Sequence, residues 1–189
     1  MAWWGIALCK GPNYNDHQMT DERSAAAWGA LQEARARSQF AGPLERELIE
    51  ALSARYAKPW PEDRTGLEQA YADAMAAVFA RYPDDSDVAV LYAEAMMVQR
   101  PWKLYSGEGD PEGDTPLIVA TLEHAMAIDP GNPGANHLYI HAVEPSRYPE
   151  RGIAAANRLC TQIPGAGHMD HMPSHIYVQV GMWDESVEQ

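Results

Sequence analysis

Residues 115–164 read TPLIVATLEHAMAIDPGNPGANHLYIHAVEPSRYPERGIAAANRLCTQIP, and this stretch decides the fold. Thr115-Pro116 opens a helix, with proline in the first turn where no backbone N–H is needed, and Asp129-Pro130 ends it. Pro133 starts a second helix that runs to Glu144, and Pro149 a third that runs to Gln162. Four positions of the first, Ile118, Leu122, Ala125 and Pro130, return as Gly152, Ala156, Leu159 and Pro164, each 34 residues later. A fixed period of this length marks an array of helix pairs in which each unit leaves an apolar face for the next to cover. Small side chains at the repeated places are expected because paired helices pack closely only where a short residue faces the neighbour.

The same reading extends in both directions. Downstream, Asp170 caps a helix to Gly181, another begins near Asp184, and Tyr177, Gly181, Trp183 and Ser186 start a third unit. Upstream, Thr20 caps a helix to about Gln39, with Asp21 and Glu22 in its first turn where the helix dipole favours acid. Pro43 stands in the first turn of a helix from Leu44 to Ala57, Thr65 opens one that ends near Tyr82-Pro83, and Ser86 or Asp87 caps Val88 to Gln99. No stretch alternates convincingly with a period of two, so no strand is expected. The expectation is an all-α protein, an α-solenoid of antiparallel helix pairs forming one domain over 1–189. Repeats are clear over 115–189, helix pairs are looser over 1–100, and a loop occupies 101–114.

The spacing of the second helix in each pair, A-x3-F-x2-A-x4-P, resembles the tetratricopeptide (TPR) repeat. The resemblance implies a right-handed superhelix in which the first helices of successive units lie side by side and line a concave groove. MAWWGIALCKGPNYN resembles an internal segment of longer bacterial TPR-repeat proteins, and the blocks NHLYIHAVE and GHMDHMPSHIY resemble His-rich blocks of such proteins. Met1 stands directly before an apolar helix and Gln189 falls within the expected last one, so neither end reads as a polar capping repeat. The expectation is a segment of a longer array, or ends covered by another subunit in a homo-oligomer.

Composition removes several classes of function. With 46% hydrophobic residues the chain can bury a core. No apolar run approaches the roughly 20 residues of a membrane span, and the N-terminus lacks the features of a signal peptide, so no membrane is expected and the default location is cytoplasmic. A formal charge of -13, from 27 acidic and 14 basic residues, repels phosphate backbones, so no nucleic acid is expected. Cys9 and Cys160 form no C-x-x-C motif and are read as buried thiols.

Five of the seven histidines fall between 137 and 175. His137, His141 and Glu144 stand at i, i+4 and i+7, an arc of about 60° on one helix face, so all three reach one point. His171 and His175 repeat the i, i+4 spacing on the next first helix, with His168 in the Gly-rich loop before it. Two such pairs on neighbouring helices can supply a transition-metal site for copper, iron or zinc. His137, His141, His171 and His175 are the expected ligands, His168 a fifth ligand or a gate, Glu144 a ligand or a general base, and Asp170 an orienting carboxylate. Taken singly, each histidine reads better as a hydrogen-bonded core or groove residue; the paired constellation turns the reading to metal.

Other motifs are plainer. The turn-rich 11–17 segment reads as a helix connection, and RPWKLY (100–105) as aromatics anchoring a long connection or a lid over a groove. The acidic loop SGEGDPEGD lacks the ligand alternation of a calcium site, and His124 reads as a surface residue. G-x-S-x-G, Walker and Rossmann patterns are absent. Three functions fit: a metal-binding repeat protein, with oxidoreductase or hydrolase chemistry open; a metal-free scaffold holding a peptide or small molecule in its groove; and an assembly unit. The scarcity of Lys and Arg on the predicted first helices argues against a reader of acidic peptides.

Overall fold

The computed structural model describes residues 1–188, and among them every regular element is helical. In chain order the α-helices are α1 (Ala2–Lys10), α2 (Asp21–Ala36), α3 (Pro43–Ser53), α4 (Thr65–Arg81), α5 (Ser86–Val98), α6 (Thr115–Ile128), α7 (Pro133–Val143), α8 (Ile153–Leu159), α9 (Gly167–Val180) and α10 (Trp183–Val187). Short 3-10 turns lie at Ser38–Phe40 and Pro149–Gly152. Among the described residues no helix is long and apolar enough to cross a membrane. The chain forms two compact units: Met1–Tyr82 with Glu94–Trp102, and Pro83–Ala93 with the chain from Lys103 onward.

The first unit packs α1 on α2 and α3 on α4. Thr20 caps α2 as its sequence position requires, accepting the Arg23 N–H at 3.2 Å. At the centre lies Arg55, fully buried, with Nε on the Glu68 carboxylate at 2.7 Å; Arg64 holds the other oxygen of Glu68 at 2.8 Å. The Arg55 guanidinium also stacks over the Tyr71 ring, 4.7 Å from its centroid. Burial pushes the nearby Glu94 carboxyl up, with Arg55 pulling against it. The segment 100–105 anchors itself as its aromatics suggest: Trp102 stacks on Tyr14 at 5.0 Å. Cys9, read from sequence as buried, is exposed, because the apolar α1 turns it to the solvent side.

The second unit packs α6 on α7, α7 on α8 and α9, α8 on α9 and α10 on α9. The repeated positions behave as their size predicts: Leu122, Ala125 and Ala156 are fully buried, and Ile118 and Leu159 nearly so. At Gly152 a Cβ would lie 2.6 Å from Cδ1 of Ile176 and 3.2 Å from Cγ2 of Val143, so the neighbouring helices meet over a hydrogen atom. Asn132 caps α7, accepting the Ala135 N–H at 3.0 Å while its Nδ2 donates to Asp87 at 2.7 Å. Arg158 of α8 donates to the Asn136 carbonyl oxygen at 3.0 Å. These bonds fix the start and the roll of α7, which carries the first histidine block.

Three boundaries differ from expectation. Asp85 caps α5, one residue before Ser86, because its carboxylate reaches the Val88 N–H at 3.0 Å. The helix expected from Pro149 to Gln162 divides into the 3-10 turn and a short α8, since Pro164 denies helical geometry to Ile163 and the chain unwinds before it. Helix α9 begins at Gly167 and not after Asp170, whose carboxylate turns back to accept the Gly165 N–H at 3.2 Å.

Two substitutions test these cores. Gly152→Ala should cost about 1–3 kcal/mol, because Ile176 is fully buried and has no room to yield. Glu68→Ala should cost about 3–5 kcal/mol by leaving a buried guanidinium unpaired. Urea denaturation of each variant against the parent measures both.

Candidate metal centre

Helix α7 places His137 and His141 one turn apart on one face, and Glu144 follows as the residue that ends the helix. Because α9 starts at Gly167, His168 belongs to its first turn and not to the preceding loop. His168, His171 and His175 therefore stand at i, i+3 and i+7 on one face of α9. Helices α7 and α9 pack together, and the two triplets meet.

The five imidazoles form a closed circuit. Ring centroids lie 4.9 Å apart for His137–His141, 5.7 Å for His141–His175, 5.2 Å for His175–His171, 5.0 Å for His171–His168 and 4.9 Å for His168–His137. The circuit is closed at His141, whose side chain is 1% exposed, and opens to solvent at His168. Two ligand groups within it, His137/His141/His168 and His141/Glu144/His175, have donor atoms all within 4.8 Å of one another.

Hydrogen bonds set the tautomer of three of the rings. With Glu144 ionised, His141 Nδ1–H donates to its Oε1 at 2.9 Å and His175 Nδ1–H to its Oε2 at 2.6 Å. His171 Nδ1–H donates to the Gly167 carbonyl at 3.0 Å. These assignments follow from the acceptors, which offer no proton, and each places the proton of the neutral ring on Nδ1. The Nε2 atoms of His137 and His168 face each other at 3.0 Å. Two nitrogens bound about 2.0–2.1 Å from one zinc-sized ion at roughly a right angle stand about 3 Å apart. The donor set, tautomers and spacing thus suit a borderline dication.

Electrostatics point the same way. Burial, then the neighbouring His141, His168, His171 and His175, hold His137 at about 3, far below its ordinary 6.5. Burial and the rings of His171, His141 and His175 also lower His168. Burial alone would raise Glu144, but the hydrogen bonds from His141 and His175 outweigh it and bring the carboxyl to about 2. His175 moves up, chiefly through its bond to Glu144. The cluster therefore holds His137 and His168 toward their neutral form beside a carboxylate that stays ionised.

All six side chains singled out from the sequence, His137, His141, Glu144, His168, His171 and His175, come together. Glu144 meets the rings of His141 and His175 through their Nδ1 atoms, as an orienting carboxylate does. Asp170 is turned to the Gly165 backbone, and the second orienting acceptor is the Gly167 carbonyl, which no side-chain pattern could announce. His124 is exposed and bonded to the Pro83 carbonyl at 2.8 Å, away from the circuit.

The shifts give a pH dependence for metal-free protein. His137 and His168 have lowered folded-state values, so unfolded chain takes up their protons first and stability falls as pH drops from 6.5 toward 3. Glu144 adds a loss as pH falls from 4.5 toward 2, while His175, raised, contributes below 6.5 and fades above it. The two lowered histidines outnumber the raised one, so Tm should decline between pH 7 and pH 4, and His137→Gln should flatten that decline. Thermal melts followed by circular dichroism across the range check it. No protein-family model matches this chain, nor does any curated protein or solved structure, so the chemistry of the centre rests on the atoms described here.

Proposed function

We propose that this chain is a TPR-like array of antiparallel helix pairs, wound as a right-handed superhelix, whose groove binds one transition-metal ion through imidazole Nε2 atoms. The observation that carries the metal reading is the commitment of three Nδ1–H groups to fixed acceptors within a closed circuit of five rings. Metal-binding histidines characteristically donate one ring N–H to a carboxylate or a backbone carbonyl, which sets the tautomer and aims the other nitrogen. The array reading is supported by the 34-residue register and by the burial of the small residues in it.

His137, His141 and His168 are the primary ligands, with His175 and His171 completing the shell and Glu144 orienting His141 and His175. An all-nitrogen set suits copper(II), zinc or iron(II) and rejects calcium and magnesium, which take oxygen. Among divalent ions copper(II) binds such sites most tightly.

Elemental mass spectrometry of protein purified without a histidine tag, before and after reconstitution with copper, iron and zinc, should find about one ion per chain. His141→Ala with His175→Ala should abolish it. Glu144→Gln, which can no longer accept from both rings, should weaken affinity about 10–100-fold. No ion after reconstitution, or the same occupancy in the double variant, removes the proposal.

A further inference from the structure

The acidic, glycine-rich loop left unexplained by the metal centre forms one wall of a cavity of about 500 Å³ in the second unit. The loop is built, not slack. Tyr105 bridges Pro111, the Ser106 N–H donates to the Asp110 carbonyl at 2.9 Å, and the Glu112 N–H to the Leu104 carbonyl at 2.9 Å. The Thr115 hydroxyl, itself buried, ties the loop to the start of α6 through the Leu104 carbonyl at 2.6 Å. Gly109, at φ 79°, lies so near Arg147 that a Cβ would stand 2.9 Å from its Cγ. The opposite wall is the turn 146–151, which follows Glu144 directly and is held by Ser146 to the Val143 carbonyl at 2.6 Å. Both walls are therefore formed before any ligand arrives.

The lining has two parts. The floor is apolar, from Val119 and Ala120 of α6, with the rings of Tyr105 and Tyr148 beside it. The rim carries Arg147 and Arg151. Arg147 commits Nη2 to Asp110 at 2.9 Å and Arg151 commits Nη2 to Glu123 at 2.7 Å, so each planar fork retains N–H groups for a further acceptor. Asp110 and Glu123 each meet these cations through one oxygen, and the Glu123 oxygen also accepts from the Tyr139 hydroxyl at 2.7 Å, so both carboxylates are held at the rim by the arginines.

We propose that this cavity binds a small amphipathic carboxylate, its aromatic or branched apolar body on Val119, Ala120 and the tyrosine rings and its carboxylate on Arg147 and Arg151. A carboxylate matches the guanidinium fork, and the cavity's volume falls in the range of small-molecule sites. The inference is independent of the metal centre.

Hydrocinnamate and its neutral amide are suitable probes, each titrated into the full chain and followed by proton–nitrogen correlation NMR. The acid should bind with a Kd on the order of 1 mM, moving signals of Tyr105, Arg147, Tyr148 and Arg151, and the amide should bind at least about tenfold more weakly. Arg147→Gln with Arg151→Gln should bring the acid to the amide's level. Ala120→Phe, which fills the floor without touching a charge, should abolish binding of both with the remaining spectrum preserved. Equal affinity of acid and amide, shifts that map elsewhere, or unchanged affinity in Ala120→Phe would each overturn the assignment.

Discussion

One carboxylate organises the histidine cluster. Glu144 ends α7 and offers its two oxygens to His141 on its own helix and to His175 on α9, so a single charge ties both histidine blocks together. Without it, nothing would hold the two Nδ1–H groups toward one point. With it, both rings are oriented, and the negative charge sits where a bound cation would need a counter-ion. The position works because Glu144 closes the helix: three residues after His141 it can still reach that ring's Nδ1, and it is 14% exposed, dry enough for the bonds to be strong.

The five rings also constrain one another. Neighbours 5 to 6 Å apart disfavour one another's charged forms, and this adds to burial, the larger cause, in driving His137 down to about 3. His168 is lowered by the same two causes. A proposed metal ion would supply a positive charge in one place, and at His137 protons would compete with it only well below neutral pH.

Much of this was legible in the sequence, and the exceptions share a cause. The helices, the 34-residue period and the face shared by His137, His141 and Glu144 follow from side-chain spacing, which is local. The placement of His168 does not. It depends on where α9 begins, and Asp170, by type an N-cap, turns back to the Gly165 N–H and lets the helix start four residues earlier. That shift moves His168 from a loop to the helix face and makes the cluster five rings instead of four and a neighbour. Likewise the Gly167 carbonyl that holds His171 is a backbone atom, invisible to any reading of residue types. The cavity beside the acidic loop was hidden for another reason: its walls come from segments more than thirty residues apart, joined by Arg147 to Asp110.

The two units bury polar groups in opposite ways, and the contrast bears on function. In the first, Arg55 and Arg64 close on the two oxygens of Glu68, Glu94 beside them is pushed toward its neutral form, and Nη1 and Nη2 of Arg55 are buried without a hydrogen-bond partner. The buried cation is held by the Glu68 carboxylate and the face of the Tyr71 ring. In the second, five imidazoles gather around a single carboxylate, and His137 and His168 meet in an Nε2···Nε2 hydrogen bond of 3.0 Å. Burial holds both of these rings below the ordinary histidine range, so the proton between them is that of one neutral ring. The first cluster is built around a fixed ion pair; the second gathers nitrogen donors that could hold a metal ion.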